Sequence, residues 1–162
     1  KSLNSVLDIG CGLGLIDLYI NNSFDSVNNF TLVDKNFISK KIKYGFHNNY
    51  EGYSLLSQTK NFLIRNGIKE EKINLLDADL KININKKFDL VISLISMGYH
   101  YPISLYTPLL KRISNEKTIY IFDIAEEYNN LSDLELIFRD VFVIKKVEKK
   151  HKQVRVLCKK II

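Results

Sequence analysis

The residues best equipped for chemistry lie in the run Val6-Leu7-Asp8-Ile9-Gly10-Cys11-Gly12-Leu13-Gly14. Three glycines at alternate positions let a chain turn sharply and approach a ligand with no Cβ atom in the way. A helical segment opens at about Gly14, and its free N–H groups would point at the same spot. Twenty residues after Gly14, Asp34 closes the run Thr31-Leu32-Val33, with Lys35 behind it. A carboxylate at that place can accept both ribose hydroxyls of an adenosine.

Two cofactors fit these features, NAD and S-adenosylmethionine. The glycine spacing is G-x-G-x-G, whereas the dinucleotide fingerprint is G-x-G-x-x-G. Asp8 stands two residues before the first glycine. A carboxylate there opposes an anionic pyrophosphate and suits a cationic ligand with an amino group and a sulfonium. Asp8 to Gly14, with Asp34, resembles motif I and the following acid of the class I S-adenosylmethionine-dependent methyltransferases.

Elements able to position these residues follow from periodicity. Short β-branched runs occur at Val6–Ile9, Phe30–Val33, Ile73–Leu76, Leu90–Leu94 and Thr118–Ile124. Between them, Leu55 to Arg65 carries helical apolar spacing and is closed by Asn66-Gly67, a C-cap signal. Leu105 to Ile113 and Leu131 to Phe138 carry it too, the latter with Ser132-Asp133 offered as N-cap. Alternation of this kind predicts a parallel α/β sheet covered on both faces. Val141–Val147 and Val154–Leu157 are strand-like, and only six residues, Glu148 to Gln153, separate them. That link is too short for a crossover helix, so the pair is expected as an antiparallel hairpin over about 141–160.

The terminal hairpin extends the resemblance to the whole chain, since it is the family's hallmark and simple dinucleotide-binding folds lack it. The resemblance implies one methyltransferase domain over residues 1–162. It implies a Rossmann-like seven-stranded sheet of order 3-2-1-4-5-7-6, strand seven antiparallel, with helices on both faces. Asp8, Gly10, Cys11, Gly12, Gly14, Asp34 and Lys35 would then hold S-adenosylmethionine. The family's acid after the third strand falls on Asp79, with Asp77 as the alternative, and Ala78 and Leu80 would lie against the adenine. Phe88-Asp89-Leu90-Val91-Ile92-Ser93 is similar to the family's fourth strand, which adds Ser93 to the cofactor side.

The loop Ser96-Met97-Gly98-Tyr99-His100-Tyr101-Pro102 follows that strand and should face the methyl acceptor, with Met97, Tyr99 and Tyr101 on the acceptor side. His100 is the candidate general base, because an unperturbed imidazole titrates near neutrality. The loop lacks the Asn/Asp-Pro-Pro-Tyr/Phe motif of amino methyltransferases. The expected acceptor is therefore an oxygen of a small molecule or sugar, with RNA or protein second. Because the sulfonium is already a good leaving group, in-line transfer needs mostly proximity and orientation. An aromatic-rich insert at about 43–54, with Tyr44, Phe46, His47, Tyr50 and Tyr53, is expected as a lid or acceptor loop. A domain that holds the cofactor without turnover is the rival reading, favoured by the lack of a helix ahead of the first strand.

Composition bounds the alternatives. Of 162 residues, 46% are apolar and 26% charged, as in an ordinary globular domain. No run approaches the length of a membrane span, and no secretory leader stands at the start, which predicts a cytoplasmic protein. Two cysteines, Cys11 and Cys158, rule out a disulfide framework and any three- or four-thiolate zinc site. The three His show no ligand spacing to one another, so no metal is expected. The net charge of +6 comes mostly from Lys, which suits a solvated exterior more than phosphate recognition. Eight Lys/Arg between Lys145 and Lys160 leave nucleic acid as a possible partner, although no aromatic is interleaved with them.

Overall fold

Runs that are apolar on both faces make the centre of the sheet, as parallel strands require. The computed structural model describes residues 2–43, 45–46, 51–80, 83–128, 130–147 and 152–162. Its strands are β1 (Ser5–Ile9), β2 (Asn29–Asp34), β3 (Phe37–Ile38), β4 (Tyr53–Ser54), β5 (Ile73–Asp77), β6 (Leu90–Leu94), β7 (Ile119–Ala125), β8 (Phe138–Val147) and β9 (Gln153–Ile161). Seven form one sheet in the order β5-β2-β1-β6-β7-β9-β8. Strand β9 is antiparallel to both its neighbours. With the two-residue strands β3 and β4 set aside, this is the expected order with its last strand reversed. Strands β3 and β4 pair as a separate antiparallel ribbon.

The pleat sends alternate residues to opposite faces. Leu7, Ile9 and Val91 join Tyr120 and Phe122 on one face. Leu110 of α3 (Thr107–Ile113) and Leu134 of α4 (Asn130–Glu135) cover them. Val6, Phe30, Leu32 and Ile92 look the other way, under Ile20 of α1 (Leu15–Ser23) and Leu63 of α2 (Leu56–Arg65). Asp89 fixes the start of β6 to that of β1, accepting the N–H groups of Asn4 and Ser5 at 3.1 and 2.9 Å. Asn66-Gly67 ends α2 as expected: Gly67 takes φ +98° and Ile68 N–H returns to Leu63 O at 3.1 Å.

Three features differ from the periodicity reading. Between β5 and β6 no helix stands among the described residues, and buried Ile84 and Phe88 anchor that crossover instead. The last helix starts at Asn130, ahead of Ser132-Asp133, because the buried Asn130 amide donates to the carbonyls of Gly98 and Ala125, each at 2.8 Å. Phe138 leaves the helix and begins β8, drawn by ring contacts with Tyr120 and Phe122 at 4.6 and 6.2 Å. These are long-range contacts that a helical apolar spacing cannot reveal. No described helix is long and apolar enough to cross a membrane.

The Tyr120–Phe122–Phe138 cluster ties the start of the hairpin to the sheet. Phe138→Ala should lower the unfolding free energy by about 3–5 kcal/mol, the usual loss for a buried ring. Urea denaturation measures this, and a loss below about 1 kcal/mol would show that the cluster does not anchor β8.

Candidate functional site

Strands β1 and β6 are parallel neighbours, and the chain leaves their carboxyl ends in opposite directions. A crevice forms at such a point. Four segments meet there: the glycine turn after β1, Asp34-Lys35 after β2, Ala78 to Leu80 after β5, and the loop after β6.

The peptide of Gly12 is held on both sides. Its N–H donates to Asp34 Oδ2 at 2.6 Å, and its carbonyl accepts the hydroxyls of Thr59 at 2.6 Å and Ser54 at 3.0 Å. Asp34 Oδ1 also accepts the Lys35 N–H at 2.7 Å. A carboxylate offers about four lone-pair sites, so about two remain for a ligand. Burial raises the Asp34 pKa, while the Gly12 and Lys35 N–H groups and the Lys35 charge pull it back down. Gly12 has φ +54°, and a Cβ there would meet open space. Gly10 and Gly14 serve packing: a Cβ would strike Ser96 at the first and approach Leu63 to 3.0 Å at the second.

One cavity of about 380 Å³ runs from Asp34 and Lys35 past Ala78, Asp79 and Leu80 to Tyr101. Lys35 pairs with Asp79 across it. Asp79, the expected acid, lines this cavity. Asp77 lies beside Asp34 in register, lines neither this cavity nor its neighbours, and accepts the Asp79 N–H at 2.9 Å.

A second cavity of about 440 Å³ shares Gly10, Asp34, Ser96 and Tyr101 with the first. Its further walls include Gly12, Cys11, Glu51, Tyr53, Ile95 and His100. Tyr53 Oη lies 2.7 Å from His100 Nε2. His100 is only 3% exposed while Tyr53 is 45% exposed, so the phenol stands in front of the imidazole. Glu51 is buried and accepts the Lys43 N–H at 3.1 Å. A hydrogen bond from Ser39 and that N–H, with the nearby charges of His100 and Lys43, hold its carboxyl below the usual range. Ile95 takes φ +62°, a left-handed backbone that costs a β-branched residue roughly 1–3 kcal/mol.

Several expected site residues face inward. Ser93 Oγ donates to Ile9 O at 2.8 Å and accepts the Met97 N–H at 3.1 Å, bracing β6 against β1. Met97 is wholly buried. Tyr99 is buried too, and desolvation pushes its phenol up to about 12. None of the three lines these cavities: the pleat of β6 turns Ser93 toward β1, and the turn held by Gly98 N–H to Tyr101 O at 2.7 Å leaves Met97 and Tyr99 in the core. Of the aromatic insert, Tyr44, His47 and Tyr50 lie outside the described residues. Cys11 reaches the cavity, but burial pushes its thiol far above the ordinary range and leaves it unreactive.

Asp8 requires a change in the electrostatic reading. It points beneath α1 and is 2% exposed, and its carboxyl meets that of wholly buried Asp17. Among the described residues, Asp8 Oδ1 and both Asp17 oxygens have no N–H or O–H donor. Two carboxyls in contact without a donor disfavour ionisation of both, so the pair favours holding a proton. Desolvation is the main cause that raises both carboxyls, Asp17 to about 7. Asp8 also borders a third cavity of about 390 Å³ that adjoins the second along Gly10, Cys11, Leu13 and Leu15.

Sequence reasoning passed over Asp17, Glu51, Ser54 and Thr59. Asp17 had a signal, since it sits three residues before buried Ile20 on the same helix face. Glu51 and Ser54 lay in the expected insert at about 43–54 but were not singled out there, and Thr59 had no signal, because their roles depend on chain folded back from elsewhere.

Asp17 binds its proton more tightly folded than unfolded. Its contribution to stability is therefore complete below about pH 4 and is lost as pH rises through about 7. Thermal unfolding followed from pH 5 to 8 should show the midpoint falling. Asp17→Asn, whose amide can donate to Asp8, should flatten that fall; an equal slope in both proteins would exclude a raised Asp17 carboxyl.

No protein-family model matches the chain, and no curated protein sequence does either. Solved structures do. A ribosomal protein L11 methylase from Lactobacillus delbrueckii subsp. bulgaricus is 20% identical, with a TM-score of 0.63 over 99% of this chain and 71% of that one. A precorrin-6y C5,15-methyltransferase from Geobacter metallireducens is 13% identical, with a TM-score of 0.64 over 97% of this chain and 79% of that one. A plantazolicin methyltransferase, solved with a triazolic desmethylPZN analogue and S-adenosylhomocysteine, is 22% identical, with a TM-score of 0.52 over 83% of this chain and 44% of that one. Sheet order, reversed last strand and structural neighbours agree: the chain has the fold of the class I S-adenosylmethionine-dependent methyltransferases.

Proposed function

We propose that the chain, read as one domain, transfers a methyl group from S-adenosylmethionine to an oxygen of a small molecule. The observation that carries this reading is the Gly12 peptide, clamped by Asp34 and Thr59 beside open space, with lone pairs of Asp34 left over. The cavities are of ordinary ligand size, within the range of about 300–1,000 Å³. Asp34 would accept the ribose hydroxyls, Asp79 and Lys35 would border the adenine with Ala78 and Leu80, and Gly10 to Gly12 would follow the methionyl part. When bound, S-adenosylmethionine supplies an electrophilic methyl on a sulfonium. The residues around it orient the acceptor and receive its proton.

The base assignment is refined by exposure. Tyr53 Oη meets the acceptor hydroxyl and takes its proton while passing its own to His100 Nε2. Glu51 stands near the imidazolium so formed. His100 thus acts from behind Tyr53.

Charge on the terminal hairpin supports a small acceptor over RNA. Lys145 and Lys146 lie toward one end of the strands and Lys159 and Lys160 toward the other. Lys146, Arg155 and Lys160 pair with Glu126, Asp123 and Asp140. The two free cysteines are buried, which suits the reducing cytoplasm.

Titration calorimetry should detect S-adenosylhomocysteine binding, and Asp34→Ala should weaken it at least about tenfold, as for charge-assisted bonds to two hydroxyls. Tighter binding of NAD would overturn the cofactor assignment. With an acceptor identified by screening hydroxylated compounds, His100→Ala should slow turnover by roughly a hundredfold and leave cofactor affinity unchanged. Tyr53→Phe should also slow turnover, since the ring remains but the relay is cut. Normal turnover in both variants would leave positioning alone as the mechanism.

A further inference from the structure

We propose that the cavity beside Tyr53 accepts a small hydroxylated ring compound that is neutral or carries an amine, and turns anions away. This rests on the methyltransferase reading of the same site. The chain as a whole is basic, at +6, yet the described lining of this cavity holds Asp34 and Glu51 and neither Lys nor Arg. Its basic side chain is His100, buried behind Tyr53, while Lys35 and Arg112 line the neighbouring cavity, where Lys35 is engaged by Asp79. Exterior charge and site charge therefore have opposite signs.

Glu51 gives the selection its force. It is only 8% exposed, and its hydrogen bonds come from neutral donors, the Lys43 N–H and the Ser39 hydroxyl. It joins no ion pair among the described residues, and the charges of His100 and Lys43 act on it only from a distance. Neutral donors keep a carboxylate ionised without cancelling its charge. The space it borders is partly closed, so an acceptor's carboxylate or phosphate would meet it with little water between. An ammonium would meet attraction instead. The adjoining cavity adds the Asp8–Asp17 pair, where the buried Asp8 Oδ1 has no partner among the described residues. Tyr53 and Tyr101, with Leu13, Leu94 and Ile95, provide flat and apolar walls for a ring.

Three compounds with one phenol ring and different charge test this: tyramine, p-cresol and 3-(4-hydroxyphenyl)propionate. Each is titrated into the full chain saturated with S-adenosylhomocysteine, by calorimetry or ligand-observed NMR. Tyramine and p-cresol should bind, tyramine at least about tenfold tighter than the propionate. Glu51→Gln should shrink that gap to within about twofold, with S-adenosylhomocysteine affinity unchanged as proof of folding. Equal or tighter binding of the propionate would overturn the inference, as would binding of none of the three. A gap that persists in Glu51→Gln would overturn the role of Glu51, and the wild-type series still decides the charge preference. Failure of S-adenosylhomocysteine to bind would instead overturn the underlying reading.

Discussion

The peptide of Gly12 is the point on which three elements converge. Asp34 at the end of β2 takes its N–H, while Ser54 of β4 and Thr59 of α2 donate to its carbonyl. One turn of chain is thereby locked to a strand, a ribbon and a helix at once. The lock is polar and part-buried, so each group that it uses would be costly to leave unpaired. The neighbouring glycines reinforce it by contact, Gly10 against Ser96 and Gly14 against Leu63. A ligand entering the crevice meets a backbone already in place, and little ordering remains for binding to do.

Charge is organised in layers. Asp8 and Asp17 form the deepest, both raised by desolvation under α1. Asp34 is next, part buried and part committed to backbone N–H groups. Glu51 comes from the opposite wall, across from the glycine turn. A site of this kind holds negative charge in a protein whose exterior is rich in Lys, and the two do not cancel, because solvent and salt screen the exterior within about 10 Å. Whatever reaches the crevice responds to the local field more than to the net charge.

Much of this was legible along the chain. Near-continuous apolar runs announced buried parallel strands, and a six-residue link forced the final hairpin. Those are local or nearest-neighbour constraints: strand length, pleat and link length leave few topologies. The glycine turn and Asp34 were legible for the same reason, because a strand, a tight turn and a strand-end acid are read in order. Phe138 was not, since helical spacing and strand residues look alike until Tyr120 and Phe122 are beside it.

Within the site, the division has a geometric cause. Residue type at a loop position says which chemistry is available, but the loop's turn decides which side chains look out. Met97 and Tyr99 turned inward and His100 remained behind Tyr53, outcomes of the bend at Gly98 and of the ribbon that carries Tyr53, while Ser93 turned inward with the pleat of β6. Glu51 became part of the site because the chain between β3 and β4 returns to the crevice from β2. The sequence by itself determined the strands, the final hairpin and the glycine–acid pair, since these follow from short-range sterics and periodicity, while the order of the strands was implied by the family resemblance. Only the tertiary structure decided which carboxylates are paired, clamped or open, because desolvation and donor geometry arise from segments far apart along the chain.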